Sequence, residues 1–200
     1  MTPDPTVPYP WPYDGAVDPE RLALVIAGAQ AGWAARSGRA AEVASVLAEL
    51  ASAVRPAGGL VVAVRHSPPL RCRASLPPVR GSDGWQLLDL AGVDLAVDAA
   101  GVDGFYGGPL DAVLRAHGVD HLAVGGFGHE LAVDSTLRSA NDRGYECLLL
   151  ADAVAPLDEA TSARALASVT MSGGIFGAVG TSSFLLSALR RHDPTPEVVT

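Results

Sequence analysis

The run LALVIAG at positions 22–28 contains no polar side chain. A strand with one solvent face alternates apolar and polar residues, whereas an unbroken apolar strand is buried on both faces and needs helical layers above and below it. Similar runs recur along the chain: LVVAV (60–64), VDLAVDA (93–99), HLAVGG (121–126), ECLLLAD (146–152) and the short GAVG (177–180). Between them lie segments of helical period. RAAEVASVLAELASAV (39–54) carries Val43, Val46, Leu47, Leu50 and Val54 on one face. PLDAVLRAHG (109–118), the segment after Gly126 that ends at Gly144, LDEATSARALASVTM (157–171) and SSFLLSALRR (182–191) complete the alternation. This order predicts an α/β fold, a three-layer α/β/α sandwich on a mainly parallel sheet of about six strands.

Ligands of such sheets bind at the carboxyl ends of the strands. Residues 27–33, 65–70, 98–106 and 126–132 are therefore expected to meet. The remaining segments set the boundaries: an extended, proline- and aromatic-rich arm over 1–20, a single domain over 21–192 and a flexible tail over 193–200. The stretch 66–84 holds four prolines and reads as a long surface loop.

Charge and composition narrow the function classes. The net charge of −8 gives no basic face for a nucleic acid. All fourteen basic residues are Arg, so no lysine chemistry is available. The five His and two Cys have no metal-ligand spacing, so neither a metal nor another cofactor is expected. The N-terminus is polar and proline-rich and no apolar run reaches membrane-spanning length, which predicts a cytoplasmic protein with reduced thiols and no membrane partner.

The four segments expected at the ligand end, taken in order, resemble the isochorismatase-like cysteine hydrolases over roughly residues 8–190. GFGHELAVDSTLRSANDRGYECLLLADAVAP is similar to that family's nucleophile segment, a glycine turn followed by V-C-V-x-x-T, then G-Y and a strand ending in D-A. LALVIAGAQAGW is similar to its first strand, A-L-x-V-I-D-M-Q. VDLAVDAAGVDGFYGGPLDAVLRAHG is similar to its lysine segment, V-x-K-x-x-x-S-A-F. WPYDG and RSANDRGYECL lean toward the branch acting on ureido compounds and small amides, such as ureidoacrylate and biuret amidohydrolases.

The resemblance implies hydrolysis of C–N bonds by an Asp–Lys–Cys triad, in which the cysteine attacks the carbonyl and the aspartate relays its proton. Carried over residue by residue, the aspartate falls on Gly28, the lysine on Ala99 and the cysteine on Ala132, while Gln30 matches the family's glutamine. A register shift does not recover the set. No Asp or Glu occurs from Arg21 to Ala40, there is no Lys, and both cysteines, Cys72 and Cys147, lie outside the turn. Family members without the cysteine keep the aspartate, so Gly28 also weighs against their chemistry. Phe127–Gly128 matches the position of the family's cis peptide, and the N–H groups of Gly128 and Ala132 would there remain free for an anion or carbonyl.

Several polar residues surround these positions. His129 and Glu130, with Asp134, read either as a replacement acid–base set or as a helix N-terminal capping cluster. Asp103 reads as a pocket acid or a loop aspartate bonded to its own backbone, and His66 as a pocket base or a loop anchor. Trp33, Trp85, Phe105 and Tyr106 would wall a pocket or simply fill the core. Three functions stay open: a catalytically inactive homologue serving as a structural or regulatory subunit with an active amidohydrolase relative, an enzyme with altered non-triad chemistry, and a small-molecule binding module. The aromatics of the arm and the apolar, glycine-rich stretch 170–186 predict an oligomer, with itself or with a triad-bearing relative.

Overall fold

A computed structural model describes residues 6–67 and 78–192. Cys72 and the expected flexible tail, 193–200, lie outside the described residues. Six strands form one sheet: β1 (Leu22–Ala27), β2 (Leu60–His66), β3 (Leu95–Ala99), β4 (His121–Phe127), β5 (Glu146–Ala155) and β6 (Ala178–Gly180). Their order is β3-β2-β1-β4-β5-β6 and every pairing is parallel. The two fully buried strands, β1 and β4, are adjacent at the centre.

Alternate residues of each strand feed two cores. Leu22, Leu24 and Ile26 of β1 pack with α2 (Ala40–Val54) and α6 (Ser182–His192), beside the short α1 (Ala31–Ala34). Ala23, Val25 and Ala27 pack on the other face with α3 (Leu110–Ala116), α4 (Asp134–Asp142) and α5 (Glu159–Met171). The apolar stripe expected on 39–54 is the buried one, with Val43, Leu47, Leu50 and Val54 fully covered. Among the described residues no helix is long and apolar enough to cross a membrane.

Two departures from expectation shape the region beside β4. β5 continues to Ala155 because a register shift opposite Val124 and Gly126 lets it pair again, Gly126 with Val154 and Phe127 with Ala155. The helix expected straight after the Gly126 turn begins instead with one π-helical turn, His129–Val133, before α4.

The described part of the arm is part of the fold. Val7 exchanges two backbone hydrogen bonds with Val179 and closes the β6 edge. Trp11, 3% exposed, sits edge-on to His121 and to Phe184. Polar contacts fasten the same end: Arg21 pairs with Asp120 and Asp14, and Glu146 accepts the Tyr13 N–H and contacts His121 Nε2 at 3.2 Å. A cleft of about 310 Å³ lies here, lined by Trp11, Pro12, Val17, Phe184, Ala188 and Arg191 among others. It therefore lies at the amino ends of the strands.

Removing a buried tryptophan costs its transfer free energy plus that of the cavity left behind. Trp11→Ala is expected to lower unfolding free energy by about 3–5 kcal/mol in urea titration. A loss below about 1 kcal/mol would mean that the arm is not integral to the core.

Candidate functional site

The carboxyl ends of β1 and β4 lie side by side, and each runs into a left-handed glycine, Gly28 at φ +64° and Gly128 at φ +69°. Glycine is required at both for space as well as conformation. A Cβ on Gly28 would collide with the Phe127 carbonyl oxygen and stand 3.4 Å from Ala132 Cβ. A Cβ on Gly128 would lie 2.5 Å from Trp33 Cε3. Trp33, Phe127 and Ala132 are fully buried members of one apolar cluster. A side chain at the position where the resemblance places the acid would thus touch the residue at the nucleophile's position, within packed core. Ala99, the lysine position, ends β3 opposite His66 and belongs to the cluster on the other face.

The N–H pair expected to face an anion or carbonyl is already used. Gly128 donates to Ala155 O at 2.9 Å, and Ala132 donates to Gly128 O at 2.9 Å. The Phe127–Gly128 peptide is trans, correcting the position carried over from the family. The threonine of the quoted motif, Thr136, fixes this turn. Its hydroxyl donates to Ala132 O at 2.6 Å and accepts the Gly104 N–H at 2.9 Å.

Each polar candidate has a partner in the scaffold. Gln30 clamps the end of β2: its Oε1 accepts the His66 N–H at 2.7 Å and its Nε2 donates to His66 O at 3.2 Å. The His66 ring is fully buried, with Nδ1 3.2 Å from Gly101 O and Nε2 without a partner. Desolvation pulls its pKa down to about 4, against an opposing contribution from the Gly101 hydrogen bond. Asp103 bonds within its own loop, accepting the Phe105 N–H, and also accepts the Ser139 hydroxyl.

His129 and Glu130 bond to different partners. His129 Nδ1 lies 2.5 Å from Ser162 Oγ, its Nε2 is buried and unpartnered, and burial lowers its pKa. The Glu130 carboxylate accepts the N–H groups of Leu157 and Asp158, so it caps the turn before α5. Asp134 pairs with Arg138 at 2.8 Å. Ser162 comes about thirty residues after His129, and nothing in the local pattern marks it.

The aromatics also separate. Trp33 covers Gly128, whereas Phe105 stacks on Tyr145 in the other core, and Tyr106 is 61% exposed, so these do not wall one cavity. Trp85 is flanked by the guanidinium groups of Arg65 and Arg80, both paired with Asp98. Among the described residues, no cluster of three His, Cys, Asp or Glu side chains is arranged to hold a metal.

Comparison with known proteins places this geometry. The isochorismatase domain family model matches residues 22–182. Ureidoacrylate amidohydrolase RutB of Methylorubrum extorquens is 40% identical over 60 residues, 30% of this chain and 24% of that protein. RutB of Variovorax paradoxus is 36% identical over 72 residues, 36% of this chain and 29% of that protein. The matched stretches thus span only about a quarter of the length of these curated relatives. Among solved structures, a cysteine hydrolase from Pseudomonas syringae pv. phaseolicola superposes with TM-score 0.75 at 22% identity, covering 88% of this chain and 95% of that one. An isochorismatase family protein from Burkholderia thailandensis gives 0.73 at 24%, covering 88% and 98%.

Because His66 is held neutral when folded, the unfolded chain takes up its proton near pH 6.5 and the folded chain only near 4. The stability this contributes is complete above pH 6.5 and is lost as pH falls from there toward 4. Between pH 7 and 5 the loss of unfolding free energy is expected to be about 2 kcal/mol smaller in His66→Gln than in the parent. Equal losses in the two proteins would contradict the buried neutral ring.

Proposed function

The chain belongs to the isochorismatase family, and from that premise we propose that it is a catalytically inactive member acting as a structural or regulatory subunit. The observation that carries this reading is that two neighbouring positions at the ends of β1 and β4 are Gly28 and Ala132, where a side chain added at Gly28 would stand 3.4 Å from Ala132 Cβ. A nucleophilic hydrolase of this design needs an acid–base group beside a thiol at the carboxyl end of the sheet. The two positions implied for them hold no functional atoms, and a side chain on Gly28 would meet the Phe127 carbonyl. The third position, Ala99, is an apolar residue of the opposite core. The closed backbone donors of Gly128 and Ala132 support the same reading, since an acyl-transfer site relies on free N–H groups aimed at the developing oxyanion.

Cytoplasmic residence and partnership with an active amidohydrolase relative belong to this proposal. The partner would gain from the pairing by mass action, because a subunit that binds only the folded state of its partner stabilises that state. The second reading, a small-molecule binding module, draws on three of the buried polar atoms without partners: Trp33 Nε1, His66 Nε2 and His129 Nε2. Such atoms are uncommon in cores and are costly unless a polar guest meets them.

The purified chain is expected to give no turnover on ureidoacrylate, biuret, N-carbamoyl amino acids or nicotinamide. Enzymes ordinarily work at about 1–10³ per second. Loss of a nucleophile and its base leaves about 10³–10⁴ over water in serine proteases, far below that range for an amide. Turnover near 1 per second or above that copurifies with the chain and disappears in Cys72→Ala would overturn the proposal.

A further inference from the structure

The cleft of about 310 Å³ lies at the opposite end of the sheet from Gly28 and Ala132. One wall is the arm, with Trp11, Pro12 and Val17, and the other is α6, with Phe184, Ala188 and Arg191. Trp11, Pro12 and Ala188 are buried, Val17 and Phe184 are half-buried, and Arg191 is exposed. The cleft is therefore apolar at its base and cationic at its mouth. Among the described residues that line it, Arg191 alone is charged.

Both walls are fixed in place. Val7 exchanges backbone hydrogen bonds with Val179, the Tyr13 N–H donates to Glu146, and Asp14 pairs with Arg21. The Gly15 N–H closes a turn on Pro12 O at 2.9 Å. The Trp11 ring meets Phe184 edge-on where the walls join, with ring centroids 6.5 Å apart. A cleft formed in advance loses little conformational freedom when a guest enters. The carboxylates at this end have other partners. Asp14 and Asp120 share Arg21, and Glu146 lies between the Tyr13 N–H and His121 Nε2. None of these three carboxylates is part of the lining.

Volume and charge define the guest. A cavity of about 150 Å³ is enough for benzene, so this cleft takes an aromatic ring with a short chain. The Trp11 and Phe184 rings offer such a ring offset and edge contacts. One guanidinium matches one carboxylate, which its planar fork suits. A nucleotide's phosphates would bring more negative charge than Arg191 meets, onto a protein of net charge −8. We propose that this cleft is a binding site for a small aromatic monocarboxylate, its ring against Trp11 and Phe184 and its carboxylate on Arg191. The site is separate from the Gly28 and Ala132 positions, so an empty cleft leaves the proposed inactivity standing. Turnover by the chain would equally leave the cleft standing.

Two-dimensional NMR of the full chain tests this, with phenylbutyrate as probe and neutral phenylbutyramide as control. The Trp11 indole N–H, identified by its loss in Trp11→Phe, reports on the cleft. Trp33 and Trp85 lie at the carboxyl ends of the strands, beside Gly128 and Arg65. The Trp11 signal is expected to shift and saturate with a dissociation constant of about 1 mM or tighter, ordinary for a ligand of about a dozen non-hydrogen atoms. The amide is expected to bind about two- to fivefold more weakly, the range of an exposed ion pair. Arg191→Gln, at an exposed position, should weaken the acid by that factor and leave the amide unchanged. Ala188→Met, compatible with a helix, fills the base of the cleft and should weaken both by about tenfold. A cation in a last helical turn also complements the helix dipole. If that is its whole role, Arg191→Gln lowers the melting temperature and leaves both affinities unchanged, which overturns the proposal. No shift at Trp11 up to about 10 mM probe, a shift at Trp33 or Trp85 instead, or equal affinity for acid and amide would also overturn it.

Discussion

The approach of two backbone segments at the carboxyl ends of β1 and β4 governs the candidate site. Gly28 presses against the Phe127 carbonyl, and Gly128 presses against the Trp33 ring. Both glycines are left-handed, and a side chain would need the Phe127 backbone to move at Gly28 and the Trp33 ring to move at Gly128. Once the chain turns this way, Ala132 is drawn against Gly28 and covered. Its N–H is directed back to Gly128 O rather than outward. The same turn sends His129 toward Ser162 and Glu130 toward the start of α5. The polar residues that follow the glycines in sequence therefore become supports of the scaffold.

This arrangement rests on a central pair of strands buried on both faces, where apolar burial contributes about 25 cal/mol per Å². Small apolar residues at such a place do not loosen it. Replacing ionisable groups in a low-dielectric site by small apolar ones removes a desolvation penalty. Close packing of Trp33, Phe127 and Ala132 then supplies dispersion contacts that a solvated pocket lacks. Gln30 has a structural role, its amide joining the ends of β1 and β2 through the His66 backbone.

Much of this was legible in the sequence. Largely apolar runs identified the strands, and the 3.6-residue period of Val43, Val46, Leu47, Leu50 and Val54 identified α2, on which all but the half-buried Val46 are fully covered. The segments at the carboxyl ends, compared with a known family, located Gly28 and Ala132 as neighbours. What was not legible depends on contacts distant in sequence. The pairing of His129 with Ser162 and the capping of Leu157 by Glu130 join α5 to a turn about thirty residues earlier. The burial of Trp11 depends on His121 at the start of β4 and Phe184 in α6, both far from it in sequence. The longer β5 depends on a register shift that no local propensity encodes. Donor accounting at Gly128 and Ala132 likewise needed the coordinates, because a strand–turn–helix pattern does not say which carbonyls its N–H groups meet.

The central claim is that the nucleophile position is sealed core. It is tested most directly by a thiol placed there, Ala132→Cys in a Cys72→Ser background, followed by alkylation at pH 6 in native buffer and in denaturant. Activated thiolates have pKa values of about 3.5–7.5 and react readily at that pH, whereas thiols buried among apolar groups do not. The account predicts a folded thiol alkylated orders of magnitude more slowly than the same thiol in the unfolded chain. Rapid, stoichiometric alkylation of the folded protein at pH 6 would contradict it.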